Sequence, residues 1–130
     1  QMAFVAAPDG AILRYNRRHY DYFGVEPGET EEWGWKQRPI LHPDDQERTT
    51  QRWLHSIRTG EVYEIEYRLT RHDGEPRWHL GRAYPVRDEK GAIIRWFGTN
   101  TDIHEQKLIE LKLQESEAKF KVIADAMPQM

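Results

Sequence analysis

Few side chains in this 130-residue chain offer chemistry, and the sequence does not gather them. Ser56 stands beside His55, a hydroxyl next to a base, but no G-x-S-x-G turn surrounds it and no Gly-rich phosphate loop is present. The acids Asp44, Asp45 and Glu47 follow His42-Pro43 and suit the positive end of a helix dipole better than a catalytic pair. The six histidines, His19, His42, His55, His72, His79 and His104, are scattered, and no His-x-x-x-His pair sits on one helix face. Surface or capping roles account for them. Cysteine is absent, which removes thiolate nucleophiles, disulfides, Cys-ligated zinc and cysteinyl-flavin adducts. The chain is expected to be non-catalytic, with no metal site.

Binding is the remaining chemistry. Tyr22, Trp33, Trp53, Tyr67 and Trp78 are candidate lining for a small-molecule pocket, since aromatics flanking a few polar groups make typical pockets. The plainer reading is equally open: large aromatics fill small cores, and a buried Trp or Tyr finds one hydrogen-bond partner there. A net charge of −3 with no basic stripe beyond Arg14, Arg17 and Arg18 argues against nucleic acid. No apolar run approaches the roughly 20 residues of a membrane span. The length suits one domain with a real core. A start at Gln1 reads as a fragment of something longer, so a membrane segment would lie outside it.

The elements that would position these residues are clearest over residues 61–107. Tyr63, Ile65, Tyr67 and Leu69 alternate with Glu64, Glu66, Arg68 and Thr70, the period of a half-buried strand. His72-Asp73-Gly74 makes a tight turn. Trp78, Leu80, Tyr84 and Val86 mark a second strand, Asp88-Glu89-Lys90-Gly91 the next turn, and residues 93–99 a third strand. Alternation there puts Ile93 with Phe97 on one face and Ile94 with Trp96 on the other. Earlier, residues 3–7 and 11–15 read as strands around Pro8-Asp9-Gly10. Asn16 and Gly24 bracket a short helix. Residues 26–40 read as short helical turns. Pro43 opens a longer helix that carries Trp53, Leu54 and Ile57 inward and closes at Thr59-Gly60. From Asp102 the chain is a polar helix with apolar stripes at Leu108 and Leu111, then at Phe120, Ile123, Ala124 and Met127, and a possible join at Ser116-Glu117. Strands interrupted by helices predict an α+β class.

The order of these elements and the motifs Pro8-Asp9-Gly10, Asn16-Arg17-Arg18, Tyr22-Phe23-Gly24, His42-Pro43-Asp44-Asp45, His72-Asp73-Gly74, Arg77-Trp78, Trp96-Phe97-Gly98-Thr99 and Thr101-Asp102-Ile103 resemble the PAS family, in particular bacterial members with a PAC-type C-terminal half. The resemblance runs over roughly residues 2–117. It implies a five-stranded antiparallel sheet with helices over one face, a small cavity, and a C-terminal signalling helix. It also implies that Asp102, Ile103 and His104 relay a signal from the sheet into that helix, although His104 stands where the family usually has Thr. His55 is the only histidine inside the long helix, near its end, while the haem-ligand position of some members falls closer to Thr50. No cofactor is therefore assigned, and an unknown small molecule remains open.

The resemblance divides the chain into a PAS domain over residues 1–103 and a linker helix over residues 104–130 that begins a following PAS domain. The pair Gln1-Met2 recurs as Gln129-Met130, consistent with a tandem array. The expected role is a sensory or relay domain of a bacterial histidine kinase or cyclic-dinucleotide enzyme in the cytoplasm, with further PAS and output domains in the same chain. A homodimer is expected, with Ile94 and Trp96 as its face. The alternative is a purely structural dimerisation module without ligand. Neither nucleic acid nor membrane contact is expected of this segment.

Overall fold

The computed structural model describes residues 1–36 and 40–128. The repeated pair Gln129-Met130 lies outside the described residues. Two short strands, β1 (Met2–Ala6) and β2 (Ile12–Tyr15), flank the Pro8-Asp9-Gly10 turn. The helix α1 (Arg17–Phe23) starts where Asn16 accepts from the His19 amide at 3.2 Å, and it ends at left-handed Gly24. A 3-10 turn (Gly34–Lys36) precedes α2 (Pro43–Thr59). Three longer strands follow, β3 (Tyr63–Thr70), β4 (Pro76–Arg87) and β5 (Ile93–Asp102), and then α3 (His104–Ala126). The sheet is antiparallel throughout in the order β2-β1-β5-β4-β3. The fold is α+β.

The helix α2 turns Asp45, Thr49, Trp53 and Ser56 toward the sheet, a stripe at four- and three-residue steps. Leu54 falls off that stripe and is 44 % exposed, so it does not face inward as its type suggests. Trp53 holds α2 in place. Its indole N–H donates to the Gly10 carbonyl at 3.0 Å, and its ring meets Tyr63 and Trp96 edge-on at 5.0 and 5.4 Å. Gly10 is required on two grounds: its φ is +96°, and a Cβ there would come within 3.0 Å of the Trp53 indole nitrogen.

The core forms two clusters, one around Phe23, Leu41 and Tyr67 and one around Phe4, Trp53 and Trp96. Trp35 and Ile65 pack against both. Small residues on the inner faces of the central strands make this possible. β4 turns His79, Gly81 and Ala83 inward, and β5 turns Trp96, Gly98 and Asn100 inward. A Cβ on Gly98 would drive into the Phe4 ring.

The register of β5 differs from simple alternation. Val86 pairs with Arg95 and Arg87 with Ile93, which leaves Ile94 as an additional residue. That bulge resets the faces, so Ile93 and Trp96 both point inward while Ile94 and Phe97 point outward. Trp96 is fully buried, which removes it from an exposed dimer face; Ile94 remains there at 42 % exposure, beside Phe97, Tyr84 and Val86. The helix α3 runs unbroken through Ser116-Glu117 and buries none of its residues.

Because Gly98 lies under Phe4, Gly98→Ala should cost about 2–3 kcal/mol by overpacking. Urea denaturation will show it as a lowered midpoint, and Phe4→Leu in the same chain should recover part of the loss because the two sites are in contact.

Candidate functional site

Two features stand out, a cavity in the core and a polar junction where α3 begins. The cavity, about 70 Å³, lies where the two core clusters meet. Of the five aromatic candidates, Trp53 and Tyr67 are among the residues lining it. The other three aromatic candidates do not. Tyr22 is buried in the polar junction, Trp33 packs over Gly10 and beside Trp35, and Trp78 points to the outer face of the sheet. Period two explains Trp78: it is out of phase with the inward residues His79, Gly81 and Ala83.

Residues not singled out from the sequence supply the cavity's polar character. His19, from α1, is 4 % exposed and stacks on Tyr15 with ring centroids 3.5 Å apart. Its Nε2 lies 2.9 Å from Thr30 Oγ1, while Nδ1 has no hydrogen-bond partner. Burial pushes the imidazole down to about 4, against a weaker pull upward from Glu31. Thr49, from α2, is 1 % exposed and its hydroxyl is also unpartnered, as is the indole N–H of Trp35. The Tyr67 hydroxyl donates to Asn100 Oδ1. Surface or capping roles thus hold for His42, which caps α2 through Nδ1 at 3.1 Å from the Asp44 amide, but not for His19 or His79.

The junction is built on Asp102, the last residue of β5. Its Oδ2 accepts from the Tyr22 hydroxyl and from Arg77 Nε, both at 2.7 Å. Its Oδ1 accepts from the His104 amide at 2.9 Å, which ties the first turn of α3 to the sheet. Burial alone would raise this carboxyl, but Arg77, Tyr22 and the His104 amide outweigh it and hold it well below the usual range. His104 occupies its position by accepting the Trp78 amide at Nδ1, 3.1 Å away, while the Ile103 amide donates to the Trp78 carbonyl at 2.9 Å. An imidazole acceptor therefore fixes the chain here.

Behind Asp102, His79 is fully buried, with Nδ1 2.8 Å from the Arg77 carbonyl and Nε2 2.9 Å from the Tyr22 hydroxyl. Burial lowers its pKa, favouring the neutral ring. A carbonyl only accepts, so the one N–H of a neutral ring belongs on Nδ1. Tyr22 then has one proton and two acceptors, Asp102 and His79.

A second carboxylate anchors α2. Asp45 takes the Arg68 backbone amide at 2.8 Å and its guanidinium at 3.0 and 2.8 Å. Burial opposes its ionisation, but these bonds and Arg48 bring it down to about 2. The Arg68 guanidinium lies 5.1 Å from the Trp78 ring centroid, as does Lys107 Nζ from α3, and Lys107 also reaches Glu66 at 2.9 Å. Trp78 is thus the shared platform for a strand cation and a helix cation. Among the described residues, no group of three or more His, Asp or Glu comes together as a metal site.

The buried His19 sets a pH dependence. Its folded pKa lies below the unfolded value near 6.5, so the unfolded chain takes up the proton first and stability falls as pH drops from 6.5 toward 4. Between pH 7 and pH 5 the loss from this ring should be about 2 kcal/mol. His79 acts in the same direction. Urea titrations at the two pH values measure the difference, and His19→Gln should reduce it; the carboxylates Asp45 and Asp102 act only below about pH 4.

Comparison with known proteins adds lineage to this geometry. A family model described as "PAS fold" matches residues 12–100. The uncharacterized protein y4lL of Sinorhizobium fredii is 37 % identical over 130 residues, covering all of this chain and 15 % of that protein. The peroxide stress-activated histidine kinase mak1 of Schizosaccharomyces pombe is 35 % identical over 134 residues, covering 98 % of this chain and 8 % of the kinase. The chain therefore corresponds to a small part of these relatives. The solved N-terminal domain of a diguanylate cyclase with PAS/PAC sensor from Marinobacter aquaeolei superposes with a TM-score of 0.70 at 22 % identity, over 82 % of this chain and 97 % of that one. PAS domains are generally non-catalytic sensor modules, and this chain belongs to the PAS family.

Proposed function

We propose that this chain is a sensory and relay domain of a signal-transduction protein whose output is a histidine kinase or a cyclic-dinucleotide enzyme. In this reading the state of the core passes through Asp102, Ile103 and His104 into α3. The Asp102 carboxylate carries the argument, since one side chain holds α1, β4 and the first turn of α3 together. A relay needs two states of similar energy, and the single Tyr22 proton supplies them. When it is on Asp102, that carboxylate is fully bonded; when it turns to His79, Asp102 keeps only Arg77 and the His104 amide. The kinase relative mak1 supports a kinase output, and a cytoplasmic location accompanies either output because both consume nucleotides. Residues 104–130 then form the linker into a following PAS domain and the output domains beyond.

Dimerisation is a second reading, with its own observation. Ile109, Leu113, Phe120 and Ile123 are 57–74 % exposed, and with Ser116 they recur at steps of four and three along α3. That is the repeat of a two-helix seam. In a parallel pair this register sets Lys112 opposite Glu117 of the second copy. The helix is thus a better dimer surface than the sheet face around Ile94.

Hydrogen exchange tests the relay. Asp102→Asn and Tyr22→Phe should each raise exchange in the first two turns of α3 by tenfold or more while β3 and β4 keep their protection; unchanged protection in α3 would sink the idea. Sedimentation equilibrium tests the dimer. Phe120→Glu should convert a concentration-dependent dimer to monomer, and a wild-type chain that stays monomeric at high concentration rules this seam out.

A further inference from the structure

The backbone amide of Trp78 points past the end of the strand that should receive it. A residue in an antiparallel pair aims its N–H and its C=O at the same neighbouring strand. The Trp78 carbonyl accepts the Ile103 amide at 2.9 Å, so its N–H faces the same side, where β5 has already ended at Asp102. His104 Nδ1 takes the place of the missing strand carbonyl, 3.1 Å from the Trp78 nitrogen. An imidazole nitrogen thus completes the β4–β5 ladder, and because His104 is the first residue of α3 it ties the helix to β4.

That bond exists only while Nδ1 carries no proton. Neutral imidazole has one acceptor nitrogen, whereas the imidazolium has two donors and no acceptor. A proton on Nδ1 sets two N–H groups against each other and leaves the Trp78 amide unpaired. The charge also falls at the N-terminus of a 23-residue helix, the end whose dipole disfavours a cation. The charged ring has another partner within reach. Its Nε2 lies 4.0 Å from Glu75 Oε1, in the turn before β4. Glu75 Oε2 is held by Arg71 at 2.8 Å, while Oε1 has only a longer contact to Arg77 at 3.4 Å. The other charged or titratable groups around the ring are Asp102 from β5, Arg77 and His79 from β4, and Glu105 and Lys107 from α3. Arg77 is engaged with Asp102 at 2.7 Å and Lys107 with Glu66 at 2.9 Å. Protons can also reach this ring: the His104 side chain is 16 % exposed, whereas His79 is fully buried.

We propose that His104 is a proton-operated latch: protonation breaks its bond to the Trp78 amide, turns the ring toward Glu75 and releases the first turn of α3 from β4. The docked helix holds one proton fewer than the released one, so acid favours release. Imidazole changes charge between about pH 5 and pH 8, which places such a response near physiological conditions. The latch adds a regulatory input to the relay described above and rests on that reading for its meaning in signalling.

Hydrogen exchange followed by NMR, compared as protection factors at pH 7 and pH 5, provides the test. In the parent chain, the Trp78 and Ile103 amides should lose protection at pH 5 by at least about tenfold relative to Ala83 and Gly98 in the centre of the sheet. The Trp78 amide shift and the His104 ring resonances should titrate together with one midpoint. His104→Asn puts an amide oxygen where Nδ1 stands and takes up no proton, so it should stay protected at both pH values. His104→Ala has no acceptor and should be open at both. His19 and His79 are present in every variant, so their effect on overall stability cancels from the comparison. Glu75→Gln should move the parent's transition to lower pH. The proposal is overturned if the parent loses no more protection at pH 5 than His104→Asn, if the Trp78 amide and the His104 ring titrate with different midpoints, or if His104→Ala is as well protected at pH 7 as the parent. Should Asp102→Asn free α3 while the parent shows no pH response, the relay stands and the latch falls. The reverse pattern upholds the latch and counts against the relay.

Discussion

The carboxylate of Asp102 is the interaction on which the arrangement depends. It ends β5 and at once receives the first amide of α3, so the sheet and the helix share one charged group. Arg77 neutralises it from the neighbouring strand, and Tyr22 reaches it from α1 across the inner face of the sheet. Asp45 does the same work for α2, binding the edge strand β3 through both the amide and the guanidinium of Arg68. In each case an acid near a helix N-terminus is held ionised by an arginine on a strand, and the helix dipole favours the same charge. The two anchors meet on the outer face, where Trp78 lies between Arg68 and Lys107.

A second constraint is the inverted distribution of size across the central strands. Phe4 needs the space above Gly98, and Tyr67 needs the space beside Gly81, where a Cβ would sit 2.6 Å from its hydroxyl. The large apolar residues Tyr84, Val86 and Phe97 therefore sit on the outer face, about half exposed. On the inner face, Phe4, Tyr67 and Trp96 fill the space that Gly81, Ala83 and Gly98 leave free. The cavity is a consequence: rings from α1, α2 and the strands approach one another over small residues and leave a gap where they do not quite meet.

This inversion explains what the sequence showed and what it hid. The alternation of β3, the Asn16 cap, Pro43 at the start of α2 and the glycine turns are local signals, and each is realised where local physics puts it. The family resemblance implied a single five-stranded antiparallel sheet with helices over one face, which no local signal contains; the strand order came only with the structure. Trp78 misled because its aromatic type suggested a pocket wall while its phase, opposite to that of Gly81 and Ala83, turns it outward, and Trp96 because the simple alternation that set it outward is reset by the bulge at Ile94. His19 and His79 are polar by type, and their residue identity alone gave no mark of burial. Their phase with Tyr22 and Phe23 on α1, and with Gly81 and Ala83 on β4, was the available sign. Thr49 could be found the same way, four residues from both Asp45 and Trp53 on the inner stripe of α2.

The energetics of a relay follow from the Tyr22 proton. A hydrogen bond to a charged group contributes about 1.5–3 kcal/mol net, enough to shift a two-state equilibrium by roughly ten- to a hundredfold. Moving that bond from Asp102 to His79 therefore acts on a scale that can release the first turn of α3 without unfolding the sheet. The same movement draws on the core: Tyr22 packs edge-on against Phe23 at 4.9 Å, and Phe23 lines the cavity. In the proposed relay, a shift of Phe23 would bear on Tyr22, and through Tyr22 on the carboxylate that holds the first turn of α3.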